Sequence, residues 1–556
     1  MNPAITLGSP LFQDPLHAST AKQSIGQAWH DAYAAGGSAA AAARQTHGDF
    51  AAAWGGGIAS NSSLVVDRFS MQSLYWAFDA NGLRFAPTAT ALAGPDPKID
   101  PQAIFDYLFF HVVPAPRTIF NGVQKLPPGC ELRLENGQPV VKPYWRPDFQ
   151  PDNQADFRVL RDEFRLRLRS AVAGQLNGSK PACFLSGGTD SSTVAGMIRE
   201  ATGAPAAAYS IGFEAEGYDE MAYARLAAKH FGAEHHEYYV TPDDLVRSVP
   251  VVAAHYDQPF GNSSALPSYF CAQMAKADGV DRILAGDGGD ELFGGNLRYA
   301  KQRWFEYYSK IPAAVRGGVL EPWLGTPAER KNPLLRKAAS YIEQARAPLP
   351  ARLDFYNLLL RLNPVEVLTP GFLAQIDRGG PSRDQQAIWD ASGAKQPLDQ
   401  HLAFDWYYTL AQTDLPKVSG TTALAGLQVG FPMLDQPLVD FSMRLPTNYK
   451  LRGGQLRWFF KEALRGFLPD EIINKPKQGF GLPFGVWATR HAPLKALAAD
   501  ALHGIADRGI VQRSFVQALL DRHLAAHPGY FGEMIWILMM LEQWLRFHAP
   551  RYSVQA

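Results

Sequence analysis

Cysteine is nearly missing from this chain: Cys130, Cys183 and Cys271 are the only three in 556 residues. They are widely spaced and odd in number, which excludes a disulfide framework and a CxxC pair for zinc or thiol exchange, and points to a reducing compartment. Long apolar runs are missing too. The most apolar stretch, Ile535 to Leu541, is interrupted by Glu542, far short of the ~20 residues a membrane span needs. Met1 to Gln13 has no basic region ahead of an apolar core, as a secretory signal would. A cytoplasmic protein without a membrane partner is expected. Charge of one sign is also absent: 53 Lys+Arg balance 53 Asp+Glu, for a formal net charge of +0. That argues against bulk nucleic-acid binding. With 46% hydrophobic and 19% charged residues, the chain reads as an ordinary globular protein, long enough for about two to four domains.

Up to about Asp148, short apolar runs alternate with turn signals. Ser63–Asp67, Leu74–Phe78 and Leu83–Ala86 predict strands, with Asp79-Ala-Asn-Gly82 as a hairpin turn. The Ala-rich segment Ala21–Arg44 predicts helix broken at Gly36-Gly37. A small α+β domain over residues 1–148 fits this pattern. Arg146 to Asn153 reads as a polar, proline-bearing linker. In residues 149–556 the rhythm changes. Strand-like runs at Ala182–Leu185, Ala206–Phe213, His236–Val240 and Arg282–Ala285 alternate with helical patterns at Ser191–Ala201, Asp219–Phe231, Asp243–His255 and Ser264–Ala277. That alternation predicts an α/β domain with a parallel sheet. From about 296 onward the pattern is mostly helical.

Two glycine-rich loops carry the chemistry. Ser186-Gly-Gly-Thr-Asp-Ser-Ser192 lies between a predicted strand and a predicted helix. Its glycines let backbone N–H groups approach an anion, Ser186, Ser191 and Ser192 add hydroxyl donors, and the helix N-terminus adds its dipole. This is a phosphate or pyrophosphate cradle, yet not a Walker A loop, whose lysine and spacing are missing. Asp190 within it suits Mg²⁺. The second loop, Leu284-Ala-Gly-Asp-Gly-Gly-Asp-Glu-Leu-Phe-Gly-Gly295, sets Asp287, Asp290 and Glu291 among five glycines. In an open parallel sheet both loops would meet at the carboxyl edge. The bland readings are a helix-capping serine turn and an acidic surface loop. A calcium site is a further reading, although the EF-hand spacing with its distant Glu is not met.

Taken together, these loops resemble the synthetase domain of the asparagine synthetase family, within the N-type ATP pyrophosphatase group. Tyr209-Ser-Ile-Gly-Phe213, Asp219-Glu-Met-Ala-Tyr-Ala224, Glu234-His-His-Glu237, Asp257-Gln-Pro-Phe-Gly-Asn-Ser-Ser264 and Lys475-Pro-Lys-Gln-Gly-Phe-Gly-Leu-Pro483 follow in the family's order. The resemblance covers about residues 48 to 548. It implies a glutaminase-like (Ntn-type) α+β domain followed by a parallel-sheet, adenine nucleotide α-hydrolase-like synthetase domain with a helical C-terminal extension. It further implies that Ser186, Gly187, Gly188, Asp190, Ser191 and Ser192 hold the pyrophosphate of ATP. Leu185, Ile211 and Gly286 would line the nucleotide, and Asp190 and Asp290 would hold Mg²⁺. Asp287 falls at a position relatives use for amine proton transfer, and Lys477 at one that stabilises charge on the reacting acyl group.

Other residues read as structural. Adjacent histidines on a strand point to opposite faces, so His235 and His236 are not expected to chelate one ion. Cys183 reads as a core residue. Arg117, Lys125 and Arg146 read as solvated. Two departures from the family stand out. Its glutaminase domains begin with a catalytic cysteine, whereas here Asn2 follows Met1 and the first cysteine is Cys130. Early strands and an Asn-Gly-Glu substrate loop also find no counterpart, so the first domain is expected to be a truncated, degenerate glutaminase kept for packing. The Leu-Glu-x-Arg-x-Pro-Phe-Leu-Asp segment of relatives is here Leu427-Gln-Val-Gly-Phe-Pro-Met-Leu-Asp435. Loss of that Glu and Arg bears on aspartate as acceptor.

The expectation is an ATP-dependent, AMP-forming carbon–nitrogen ligase. It would adenylate a small-molecule carboxylate, the aspartate β-carboxylate by family, and pass it to ammonia or another amine donor, with glutamine use in doubt. A homodimer stays open. The rival readings are an intramolecular amide-forming cyclase of the β-lactam or lasso-peptide kind, a tRNA-modifying adenylating enzyme, and an inactive binding homologue.

Overall fold

The computed structural model describes residues 2–58, 62–176, 179–324, 332–476, 479 and 481–554. The first domain is built on an antiparallel sheet of β1 (Ile5–Gly8), β2 (Phe50–Trp54), β3 (Ser63–Val66), β4 (Cys130–Glu135) and β5 (Gln138–Pro143), which lie side by side in that order. Side chains along β2 alternate between faces, as a pleated strand requires. Phe50, Ala52 and Trp54 join Trp29 of α1 (Ile25–Gly36) and the alanines of α2 (Ala39–Arg44) in one core, while Ala51 and Ala53 join Leu64, Leu74, Trp76 and Leu132 in another. The predicted hairpin pairs Tyr75–Asp79 with Gly82–Ala86, and α1 stops at Gly36–Gly37 as the glycines dictate. Residues 5–8 carried no strand signal, yet they supply the edge strand next to β2.

Residues 146–156 form neither helix nor strand, but they are no loose linker. Phe149 is buried, with Lys450 Nζ 4.6 Å from its ring and Trp406 at 5.3 Å, and Asp152 N donates to Arg444 O at 2.8 Å. The segment is a strap bound along the second domain.

The second domain begins with α3 (Phe157–Leu176). Its parallel sheet contains β6 (Ala182–Phe184), β7 (Ala207–Phe213), β8 (Glu234–Val240), β9 (Arg282–Leu284) and β10 (Gln428–Gly430), in the order β8-β7-β6-β9-β10. The helices between them are α4 (Thr189–Thr202), α5 (Met221–Phe231), α6 (Pro242–His255) and α7 (Ala265–Ala277). Both faces are covered, as a parallel sheet demands. Tyr209, Ile211 and Phe213 of β7 pack into one core, and Ala208 into the other. The alternation read from the sequence is therefore the observed fold. β10 lay inside the stretch read as helical. It is three residues long, too short for a periodicity signal.

Beyond the sheet the chain is helical. It includes the short α8 (Gly289–Phe293), a π-helical segment Trp406–Asp414 running into α9 (Leu415–Leu424), α10 (Trp458–Ala463) and a long closing helix α11 (Pro528–His548). Helix Pro101–Phe110 of the first domain packs into the core that holds α11, where Tyr107 Oη donates to Ile537 O at 2.8 Å. No described helix is long and apolar enough to cross a membrane.

Candidate active site

Strand β6 ends at Phe184, and Leu185 N donates to Tyr209 O at 2.9 Å, holding the chain on β7 for one more residue. The loop then turns at Gly187, whose φ is 70°. A Cβ there would meet the backbone of Tyr223 and Ala224, so only glycine lets α5 pass. Ser186 and Ser191 brace the turn. Their hydroxyls lie 3.0 Å apart, Ser186 N donates to Ser191 Oγ at 3.1 Å, and Gly188 N donates to Ser186 Oγ at 3.3 Å. Gly188 caps α4, so the first N–H groups of that helix face the cavity beyond the strand ends.

The second loop leaves β9 beside the first. A Cβ on Gly286 would lie 2.8 Å from Ser191 N, and one on Gly289 would strike the Asp190 carboxylate. The glycines of this loop thus permit the interlock. One cavity is lined by Leu185, Ser186, Gly188, Asp190 and Ser191 from the first loop and by Gly286, Asp287, Asp290 and Glu291 from the second, with Ile211 and Tyr209 from β7. Two predicted ligands sit outside it. Gly187 is turned against α5, and the Ser192 side chain is fully buried within α4. They shape the loop from behind. Lys477 lies outside the described residues.

Asp287 faces a partner that no motif announced. Lys417 of α9 sets its Nζ 3.3 Å from Asp287 Oδ1 and 3.1 Å from Asp414 Oδ1. Burial raises the Asp287 carboxyl, and the Lys417 charge opposes that rise. Burial would lower the Lys417 ammonium, but Asp414 and Asp287 overcome it and hold the amine charged. Glu291, buried beside Asp290 and Asp414, is pushed well above the usual carboxylate range. Across the cavity Lys475 pairs with Glu220 at 2.6 Å and lies over the Tyr223 ring. Both residues fell inside quoted motifs without being singled out. Lys417, Asp414, Arg457 and Lys461 had no local signal at all, because they stand on or just before helical segments outside the glycine loops.

Arg457 bridges the two aspartates read as metal ligands. Its Nη1 is 2.6 Å from Asp190 Oδ2 and 2.7 Å from Asp290 Oδ1. Two carboxylates facing one point, beside a phosphate cradle, are what Mg²⁺ takes from protein when phosphates and water complete its shell. The donor set therefore fits the ion. Among the described residues no group of three or more His, Cys, Asp or Glu side chains converges on a metal position.

The remaining expectations are placed as follows. His235 Nε2 lies 2.7 Å from Ser210 Oγ, while His236 stacks on Tyr209 and sets Nδ1 3.0 Å from Asp278. The two rings face different partners. Cys183 is buried core. Lys125, read as solvated, is buried, and loss of hydration lowers its amine to about 8. Arg117, also read as solvated, pairs with Asp106 at 2.7 Å. The Asp257–Ser264 loop joins the domains: Asp257 accepts from Ala89 N and Thr90 N, and Gln258 Oε1 accepts from Ile119 N. Gln428 and Gly430 stand on β10, away from the cavity lining. At Gly430 a Cβ would meet Gln175 and Leu284 at 2.7 Å and the Arg282 guanidinium at 3.3 Å, so the space at this position is already filled.

A doubly covered parallel sheet with a phosphate cradle and acidic loop at its carboxyl edge, preceded by an antiparallel sheet domain, defines a two-domain amide-forming ligase. The chain belongs to the asparagine synthase family: residues 163–546 match the family described as asparagine synthase, and residues 29–145 match the glutamine amidotransferase domain. It is similar to asparagine synthetase (glutamine-hydrolyzing) 1 of Bacillus subtilis, at 24% identity over 483 residues, covering 86% of this chain and 74% of that protein. It is also similar to the amidase chyE of Penicillium rubens, at 30% identity over 522 residues, covering 83% and 74%.

Proposed function

We propose that the protein adenylates a carboxylate with ATP, releases pyrophosphate, and passes the acyl group to ammonia or another amine. The observation that supports this reading is the interlock of the two loops, which brings phosphate donors, paired acids and the Asp287–Lys417 pair to one cavity.

The carboxylate oxygen of the acceptor attacks the α-phosphorus of ATP, and the bond to the β-phosphate oxygen breaks. Backbone N–H groups at the start of α4, with the Ser186 and Ser191 hydroxyls, face the leaving pyrophosphate, and fixed donors aimed at developing charge lower such barriers. Asp190 and Asp290 would hold Mg²⁺, which supplies neutralising charge for that leaving group. The amine then attacks the acyl adenylate, AMP departs, and the surplus proton of the amine must be removed. Asp287, raised by burial with Lys417 opposing that rise, is the carboxylate beside the cavity that would take up this proton. Lys477, the residue at the acyl-charge position of the family, belongs to the same reading.

Free ammonia or a substrate amine is the donor in this proposal. Hydrolysis of glutamine needs an accessible thiolate, whereas this chain's three thiols are buried and burial pushes Cys130 and Cys183 up to about 12. Aspartate is the acceptor to try first. The test is pyrophosphate release from ATP–Mg²⁺ with a panel of carboxylates, each with ammonia, glutamine or no added amine. Aspartate-dependent release supported by ammonia and not by glutamine is the expected result. Release that needs no added amine would favour an internal amine, and glutamine-supported release would overturn the donor assignment.

A further inference from the structure

Arg457 is held in place more firmly than a surface arginine near two acids would be. It precedes α10 with a left-handed backbone, φ 53°, unusual for a residue other than glycine. Its N–H donates to Gly294 O at 3.2 Å and its carbonyl accepts from Lys461 N at 2.9 Å. A Cβ on Gly295 would strike the Asp290 carboxylate and come within 2.8 Å of Arg457 Cδ, so the glycine pair closing the acidic loop makes room for this side chain. One nitrogen, Nη1, then bridges carboxylates that belong to two different loops.

Two half-buried carboxylates that meet at one guanidinium nitrogen need a compensating cation, because partly desolvated like charges repel strongly. Arg457 engages one oxygen of each carboxylate, so a divalent ion held by the same pair would compete with the guanidinium for their charge. We propose that Arg457 is the resident counter-cation of the Asp190–Asp290 pair, and that a divalent ion replaces it there only when it arrives with the phosphates of the nucleotide. The bare protein then binds the ion poorly, and metal and nucleotide bind together. This rests on the metal assignment within the proposed function.

The test reads metal binding directly, so that a failure to find the acceptor carboxylate leaves it intact. Mn²⁺ is titrated into the full chain without nucleotide and followed by electron paramagnetic resonance, with wild type compared to Arg457→Met. The variant is expected to bind Mn²⁺ about tenfold or more tightly than wild type. Its melting temperature should fall in metal-free buffer and recover with Mn²⁺, while that of wild type responds to Mn²⁺ only with ATP present. Equal Mn²⁺ affinity in the two proteins, or a melting loss that Mn²⁺ does not restore, would overturn the proposal and leave Arg457 a structural brace. If Arg457→Met fails to fold, Arg457→Lys keeps the charge with less reach. An intermediate Mn²⁺ affinity supports the proposal there, and an affinity equal to wild type overturns it.

Discussion

Lys417 serves two carboxylates at once, and that double pairing fixes what its loss should do. Without the ammonium, Asp287 and Asp414 lose the cation they share, and Asp287, already raised by burial, would be raised further and become harder to ionise. Lys417→Met is expected to lower kcat for amine-dependent turnover by about 10²-fold. The KM for ATP should change little, because the phosphate cradle stands on other elements. Steady-state kinetics of pyrophosphate release separate the two. His401 gives a second residue-scale prediction. Its ring is enclosed by Tyr299 and Trp389, and burial lowers the imidazole to about 4, with Asp405 opposing. Between pH 6.5 and that value the unfolded chain takes up a proton that the folded chain refuses. Stability is therefore lost as pH falls through this window, by up to about 3 kcal/mol from this group. His401→Phe should flatten the difference between melting curves recorded at pH 7 and pH 4.5, and an unchanged slope would show that the ring is not the cause.

At the scale of elements, the glycine turn and the strap are the informative pieces. Gly187→Ala places a Cβ into the start of α5 at a left-handed residue, where the backbone alone costs about 1–2 kcal/mol. The expected result is a lower melting temperature together with loss of ATP binding by calorimetry, since the turn that aims the α4 N-terminus is displaced. The strap predicts otherwise. Phe149 is buried against Trp406 and beneath Lys450 and does not line the cavity, so Phe149→Ala should destabilise by about 3 kcal/mol with ATP affinity intact. Urea unfolding measures it. Weakened ATP binding in that variant would mean that the strap transmits to the site through Trp406, whose Nε1 donates to Glu291 O at 2.9 Å.

For the whole molecule, the two sheets do not form two independent bodies. One apolar core runs from helix Pro101–Phe110 of the first domain to α11 at the end of the chain, and the Asp257–Ser264 loop grips the first domain by its backbone. A single calorimetric unfolding transition is expected, and two resolved transitions would show that this shared core is weaker than its burial implies. The joint also contains Asp49 and the buried Arg282, near one another beside Gly430 of β10. The Leu427–Asp435 segment therefore borders the joint between the domains through Gly430 and Asp435. Its bearing on the choice of acceptor is tested by the carboxylate panel above.

The sequence by itself determined what local rules can set. Alternation and glycine placement marked the strands from Ser63 to Ala86, the βα succession from Ala182 to Leu284 and both glycine-rich loops, because periodicity and turn chemistry act over a few neighbouring residues. Tertiary structure alone decided which charges meet. Asp190 and Asp290 are a hundred residues apart, Arg457 is farther still, and Lys417 stands on a helix with no motif, yet all converge at one sheet edge. It likewise turned a polar linker into a packed strap, buried Lys125, and drew residues 5–8 and 428–430 into sheets as edge strands. Short edge strands and long-range ion pairs take their energy from partners distant in the chain, and no window of sequence contains both members.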